Sequence, residues 1–366
     1  MSDEGGAPLL KEIFNRQRLE HIAGTATSVS SGFDRKRFMA LATENLDALS
    51  IMQRMRQVAT SLQATLPGDF PRQVELVERM GPLAGHSFAA MALSEHVALY
   101  GADHFDRSMQ ALALLTRYGS SEFAVRHFLQ REPERTLRVM TRWAGDPNEH
   151  VRRLASEGSR PRLPWSFRIQ SLIEDPSPTL PILERLKEDD SLYVRKSVAN
   201  HLNDIAKDHP GLVLERLEAW PREHRHTAWI VRQALRTLIK QGDAGALALV
   251  GAGGSAEVEV TDFSVVPPSL RLGDRLSLAV GIRSTGATTQ RLVVDYAIHY
   301  VKKSGATSRK VFKLKELDLA AGTSTALSIS QVIRDFTTRK HNAGTHRVEL
   351  MVNGSVLASG AFDLSI

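Results

Sequence analysis

The feature that most constrains this chain is a change of hydrophobic period at Gly251-Ala252-Gly253-Gly254-Ser255. Before that run, apolar residues recur three and four apart among many Leu, Ala, Arg and Glu residues, which is the pattern of amphipathic helices. After it, apolar residues alternate at period two, as in Arg275-Leu276-Ser277-Leu278-Ala279-Val280 and Arg347-Val348-Glu349-Leu350-Met351-Val352. Turn residues punctuate these runs at Pro267-Pro268, Leu272-Gly273-Asp274, Ser284-Thr285-Gly286 and Asn353-Gly354. The two periods bury their apolar residues in different ways, so the expectation is a multidomain chain. An all-α domain spans 1–250, a glycine-rich linker 251–256, and an all-β, immunoglobulin-like sandwich 257–366.

The helical part carries a faint repeat. Val151-Arg152-Arg153-Leu154-Ala155, Val194-Arg195-Lys196-Ser197-Val198 and Val231-Arg232-Gln233-Ala234-Leu235 share a Val-Arg opening. They lie roughly 40 residues apart, the period of HEAT-like α-solenoid repeats with two helices per unit. Second helices of such units usually line the concave face, so Arg152, Arg153, Arg195, Lys196 and Arg232 are expected to share one surface. A row of cations there suits a phosphate backbone, although any single one of them is better read as a solvated helix residue.

Several function classes drop out. With no cysteine among 366 residues, there is no disulfide framework, thiol nucleophile or cysteine-ligated zinc or iron–sulfur site. There is no phosphate-cradling loop, HExxH or GxSxG motif, and His224-Arg225-His226 is a weak metal signal, so no metal and no cofactor are expected. Met1-Ser2-Asp3-Glu4 is acidic where a secretion signal is basic, and no apolar stretch is long enough to span a bilayer. A cytoplasmic monomer without membrane contact is the expectation. The net charge of +6 is compatible with a polyanionic partner. From 251 onward, 14 Lys+Arg face 10 Asp+Glu, with a local basic run at Arg339-Lys340-His341.

Three segments carry candidate chemistry. Val151 to Trp165 holds four arginines (Arg152, Arg153, Arg160, Arg162), Glu157 and one indole. A helix should end at Gly158, with Pro161 and Pro164 holding the following chain extended. Tyr193 to Pro210 places Val194, Val198, Leu202 and Ile205 on a buried stripe and Lys196, Asn200, Asn203 and Asp204 on a neighbouring polar face. Asn and Asp are poor residues within a helix, so hydrogen bonding inside the solenoid or a ligand-facing cluster must account for them. In Gly119-Ser120-Ser121-Glu122, one serine reads as an N-cap with Glu122 in the first helical turn.

These segments resemble the AlkC-type bacterial alkylpurine DNA glycosylases, relatives of the AlkD type in the HEAT-like repeat superfamily. The matching residues are Val151 to Gly158, Pro161 to Trp165, Tyr193 to Asn200, Leu202 to Pro210, Ser121 to Arg126 and, more loosely, Met91 to Gly101. The resemblance covers roughly residues 8 to 250, and the β domain is similar to the immunoglobulin-like tail of one branch of the family.

The resemblance implies a monofunctional hydrolase that excises cationic N-alkylated bases, such as N3-methyladenine and N3-methylcytosine, from double-stranded DNA without deep base flipping. A base already carrying positive charge is an activated leaving group. Carboxylates and an aromatic face then suffice to stabilise an oxocarbenium-like sugar and position water. Glu122, Asp204, Glu157 and Trp165 are the implied lesion-facing set. Arg152, Arg153, Arg160, Arg162, Lys196, Asn200, Asn203, Arg232, Arg339 and Lys340 are the implied DNA contacts. The AlkD constellation does not carry over unchanged: Glu122 and Arg126 stand where that type has a tryptophan and its catalytic aspartate, and Asn200 where it has a second tryptophan. Action at the bacterial nucleoid follows from the implied substrate. The alternative is a non-catalytic HEAT-like scaffold binding DNA or protein. Carboxylates beside arginines argue against it, because they cost a mere binder affinity for phosphate.

Overall fold

The computed structural model describes residues 9–336 and 340–366. Helices fill the chain up to Ala244–Leu249, and the first strand begins at Val258. The chain divides into two compact units, one comprising residues 1–208 and 223–230 and the other 209–222 and 231–366. The last helical turns thus belong to the same compact unit as the strands.

In the first unit, later helices of successive pairs stack on one another. Ile51–Thr65 packs on Met91–Tyr100, and Glu149–Gly158 packs on Leu192–Ile205. The stripe Val194, Val198, Leu202 and Ile205 is fully buried, as its spacing requires. Caps set the helix starts: the Asn148 side chain accepts from the backbone N–H of His150 at 2.9 Å, and Ser50 forms a reciprocal capping box with Gln53. Glu149–Gly158 ends at Gly158, where a Cβ would lie 2.4 Å from Val125. Only glycine permits that approach.

The Val-Arg repeat has a physical basis at two of its three positions. Arg152 donates to the carbonyls of Asp146 and Pro147 at 2.9 and 3.0 Å, and Arg195 to those of Asp189 and Asp190, both at 2.8 Å. Each arginine therefore ties down the loop five and six residues before it. Arg152 also pairs with Asp189 of the next unit at 2.6 Å. In the third copy, Val231 and Arg232 fall late in the helix Arg225–Ala234 rather than at its start, so the pattern has lapsed.

In the second unit, β1 (Val258–Val266), β3 (Arg275–Ser284) and β6 (Ser324–Val332) form one antiparallel sheet, with β2 being Ser269–Arg271. The other sheet runs β2-β8-β7-β4-β5, with β4 Gln290–Val301, β5 Thr307–Leu319, β7 Gly344–Val352 and β8 Ser355–Ser365. Leu276, Leu278, Val280 and Ile282 of β3 point inward at period two; Leu276 and Leu278 share a core cluster with Tyr296, Ile298, Val348 and Phe362, and Val280 and Ile282 share one with Leu292, Val294, Leu350 and Val352. Asn353 and Gly354, both at positive φ, make the tight turn between β7 and β8. Among the described residues, no helix is long and apolar enough to cross a membrane.

Candidate active site

The first unit holds a cavity of about 540 Å³ whose lining includes Glu122, Arg153, Glu157 and Trp165. That volume is in the range of small-ligand sites. Three stretches of chain deliver these groups. Glu122 sits in a turn just ahead of the helix Val125–Arg131 rather than in its first turn. Ser120, not Ser121, serves it: the Ser120 hydroxyl donates to Glu122 Oε2 at 2.8 Å and accepts from the Glu122 N–H at 3.3 Å. Ser121 turns inward and donates to the carbonyl of Leu112 at 2.9 Å. Arg153 and Glu157, four apart on Glu149–Gly158, project on the same side.

Trp165 is 58% exposed and adopts φ +65°, a conformation that costs a non-glycine residue energy. Its indole meets Phe88 edge-on at 6.0 Å. The loop that presents it is fastened from below by Arg126. That fully buried guanidinium donates to the carbonyls of Gly158 at 3.1 Å, Arg160 at 2.5 Å and Phe167 at 2.6 Å. Burial, with Arg160 nearby, pulls the Arg126 value down to about 10. Arg126 is thus the anchor of the tryptophan loop.

Charges alternate along the cavity floor and behind it. Glu122 pairs with Arg153, which also forms an ion pair with Glu157 at 3.5 Å. Glu157 Oε1 accepts from Arg160 at 2.6 Å, and its Oε2 accepts from Ser197 at 2.6 Å. Arg160 then clasps Asp204 at 2.7 Å, and Asp204 takes Lys207 at 2.9 Å. Burial alone would depress the Arg153 guanidinium, yet Glu157 and Glu122 outweigh it and raise the value above the usual range. The same balance holds at Arg160, where Glu157 and Asp204 prevail over burial. In this half-dry setting, charges act on one another more strongly than in water.

The expected lesion-facing set therefore divides. Glu122, Glu157 and Trp165 meet at the cavity, whereas Asp204 is 3% exposed and lies behind Arg160, outside the lining. Its sequence position suggested a polar face, but the helix buries it against Arg160. The expected DNA contacts divide too. Arg153 lines the cavity. Arg160, 7% exposed, is committed to Glu157 and Asp204. Arg152 serves the repeat joint, and Arg162 makes a two-point pair with Asp208 at 2.8 and 3.0 Å. Asn203 is buried, Asn200 is half-buried and Lys196 is exposed. In the second unit, Arg232 approaches Glu316 at 3.5 Å and Lys340 pairs with Asp335 at 3.1 Å. Arg339 lies outside the described residues.

Sequence reading missed His86, Phe88, Tyr118 and His150 among the lining residues, and gave no role to Tyr193. Tyr193 carried the best signal, an aromatic residue in the first turn of a helix facing the preceding arginines. Arg153 lies over its ring at 5.1 Å. Ser197, which fixes Glu157, carried none.

Comparison with known proteins agrees with this layout. Residues 87–238 match the family model described as DNA alkylation repair enzyme, and residues 259–366 match the C-terminal Ig-like domain of the uncharacterised protein YhaZ. The YhaZ protein of Bacillus subtilis (strain 168) is 40% identical over 97% of this chain and 99% of its own length. Pseudomonas fluorescens alkylpurine DNA glycosylase AlkC, solved bound to DNA containing an abasic site analog, is 52% identical. It superposes with a TM-score of 0.96 over 98% of this chain and 100% of that one. The chain belongs to the AlkC family of alkylpurine DNA glycosylases. The AlkC-type arrangement of a helical repeat region followed by an immunoglobulin-like β domain is thus shared end to end. The floor of alternating acids and arginines sits inside the segment that matches the alkylation-repair model.

Proposed function

We propose that the protein is a DNA repair glycosylase that hydrolyses the N-glycosidic bond of cationic N-alkylated bases in duplex DNA, with N3-methyladenine and N3-methylcytosine as substrates. The observation that carries this reading is the meeting of two paired carboxylates and one exposed indole at a single cavity. An alkylated ring nitrogen already supplies the positive charge that a general acid would otherwise create. The base leaves with the glycosidic electron pair, and cationic charge builds on the sugar. Glu122 and Glu157 face that charge, and the indole of Trp165 offers its negative π face to the deoxyribose or the base. Water adds at the anomeric carbon and gives up a proton, and an abasic site remains.

No lysine lines the cavity among the described residues, which supports hydrolysis by water over a covalent amine mechanism. Asp204 acts through Arg160 as a positioning residue. Arg153 holds the two glutamates, and Lys196 and Asn200 meet the DNA backbone along the neighbouring helix. In the second unit, Lys340 and its basic neighbours add affinity for phosphate. The helical part, 1–250, carries the excision chemistry and 257–366 assists binding, at work on chromosomal DNA in the bacterial cytoplasm.

The test is incubation of the protein with methylated duplex DNA, with released bases separated by chromatography and abasic sites scored by alkaline cleavage. Release of N3-methyladenine without strand cleavage is expected. No release above a Glu122→Gln/Glu157→Gln double variant would refute the reading.

A further inference from the structure

One wall of the cavity carries a row of rings that the chemistry above does not use. Tyr118 and His86 approach at 5.8 Å between centroids, His86 and His150 stack at 6.3 Å with their planes 28° apart, and His150 meets Tyr193 edge-on at 5.5 Å. The four rings come from four separate stretches. His86 precedes the short 3-10 helix Phe88–Ala90, and Tyr118 follows the helix Phe105–Leu115. His150 and Tyr193 open the helices Glu149–Gly158 and Leu192–Ile205. The backbone N–H of Ser87 donates to the carbonyl of Tyr118 at 3.3 Å and holds the first two stretches together.

The row is no piece of core. His86 is exposed, Tyr118 and His150 are half-buried and Tyr193 is 40% exposed. Both imidazoles line the cavity, each with another ring of the row about it. Among the described residues, neither imidazole's nitrogens make a hydrogen bond. Arg117, beside Tyr118 in the same lining, is exposed and pairs with no carboxylate. It contrasts with Arg153, which is fully committed to Glu122 and Glu157. Imidazole N–H donors and a guanidinium with no carboxylate partner among the described residues match a phosphodiester oxygen.

We propose that His86, His150 and Arg117 form a phosphate clamp for the lesion-bearing strand, with Tyr118 and Tyr193 as its sides. The clamp holds a phosphate flanking the damaged nucleotide while the glutamates face its sugar. This rests on the glycosylase reading of the same cavity.

The test is a coupling measurement on duplex DNA containing an abasic-site analog, which requires binding but no chemistry. Neutral methylphosphonate replaces each flanking phosphate in turn, and Kd is measured for the wild type and for His150→Ala and Arg117→Ala. At one position the wild type should lose about tenfold in affinity, the worth of a charge-assisted hydrogen bond. The alanine variants should bind native DNA more weakly by a similar factor and lose their sensitivity at that position alone. His150→Gln, which keeps an N–H donor, should recover part of it. Retained penalties at the other positions show that the variants are folded. Equal penalties in wild type and variants at every position, or native-DNA affinity unchanged by the substitutions, would overturn the clamp. Base release from methylated DNA by the same wild-type preparation is scored in parallel. Its absence would overturn the glycosylase reading and leave the coupling result to stand or fall by itself.

Discussion

Arg152 and Arg153 are consecutive on one helix, yet they belong to different regions with different physics. Arg152 works at a repeat joint, clasping two carbonyls of the preceding loop and Asp189 of the next unit. Arg153 works at the cavity floor between Glu122 and Glu157, under the ring of Tyr193. A helix advances 100° per residue, so neighbours cannot serve the same surface. The joint recurs at Arg195, which fastens its own preceding loop in the same way. The floor occurs once, where three stretches converge. Repetition in this chain marks scaffolding, and the proposed chemistry lies where three non-repeating stretches bring acids together.

This contrast can be broken experimentally. The largest expected effect is at the floor. Glu157→Gln should slow single-turnover release of N3-methyladenine by roughly a hundredfold or more, since it removes a preorganised charge facing the reacting sugar. Next comes the indole: Trp165→Ala should slow release by roughly tenfold, a cation–π contribution of about 1–2 kcal/mol. Because Trp165 is exposed and held at positive φ, Tm should not fall. At the joint, Asp189→Ala should cost about 2 kcal/mol in denaturant unfolding by removing the carboxylate that neutralises Arg152, with little change in the excision rate. An excision defect as large as that of Glu157→Gln would erase the distinction between joint and floor.

The smallest effect is in pH. Burial pulls His96 down to about 4 and, with Arg160 and Arg126 adding to it, His201 down to about 3. Below the ordinary imidazole value of 6.5, the unfolded chain takes up protons that the folded chain refuses. Stability is therefore complete above that pH and declines as pH falls toward 4 and then 3. Thermal melts across this window should show the decline, and His96→Gln should flatten it.

Much of this was legible in the sequence because it rests on local pattern. The change of period located the passage from helices to strands, Gly158 ended its helix, and Glu157 with Arg153 followed from their spacing. The third Val-Arg copy misled because a shared dipeptide says nothing of its place within a helix. Asp204 misled for a related reason: polarity at a helical position suggests exposure, whereas this carboxylate and Arg160, in the loop after Gly158, neutralise one another out of solvent. The ring row was invisible because its four members lie far apart in the chain and share no spacing. Only the stacking of units brings them together.

The central claim is that the paired glutamates act on positive charge at the damaged nucleotide. It is tested most directly by comparing release of N3-methyladenine and of uncharged uracil from otherwise identical duplexes, using wild type and the Glu122→Gln/Glu157→Gln variant. The account predicts that the wild type releases the cationic base and leaves the neutral one, and that the double variant loses the release. Equal release of both bases by the wild type, or undiminished release of N3-methyladenine by the double variant, would contradict it.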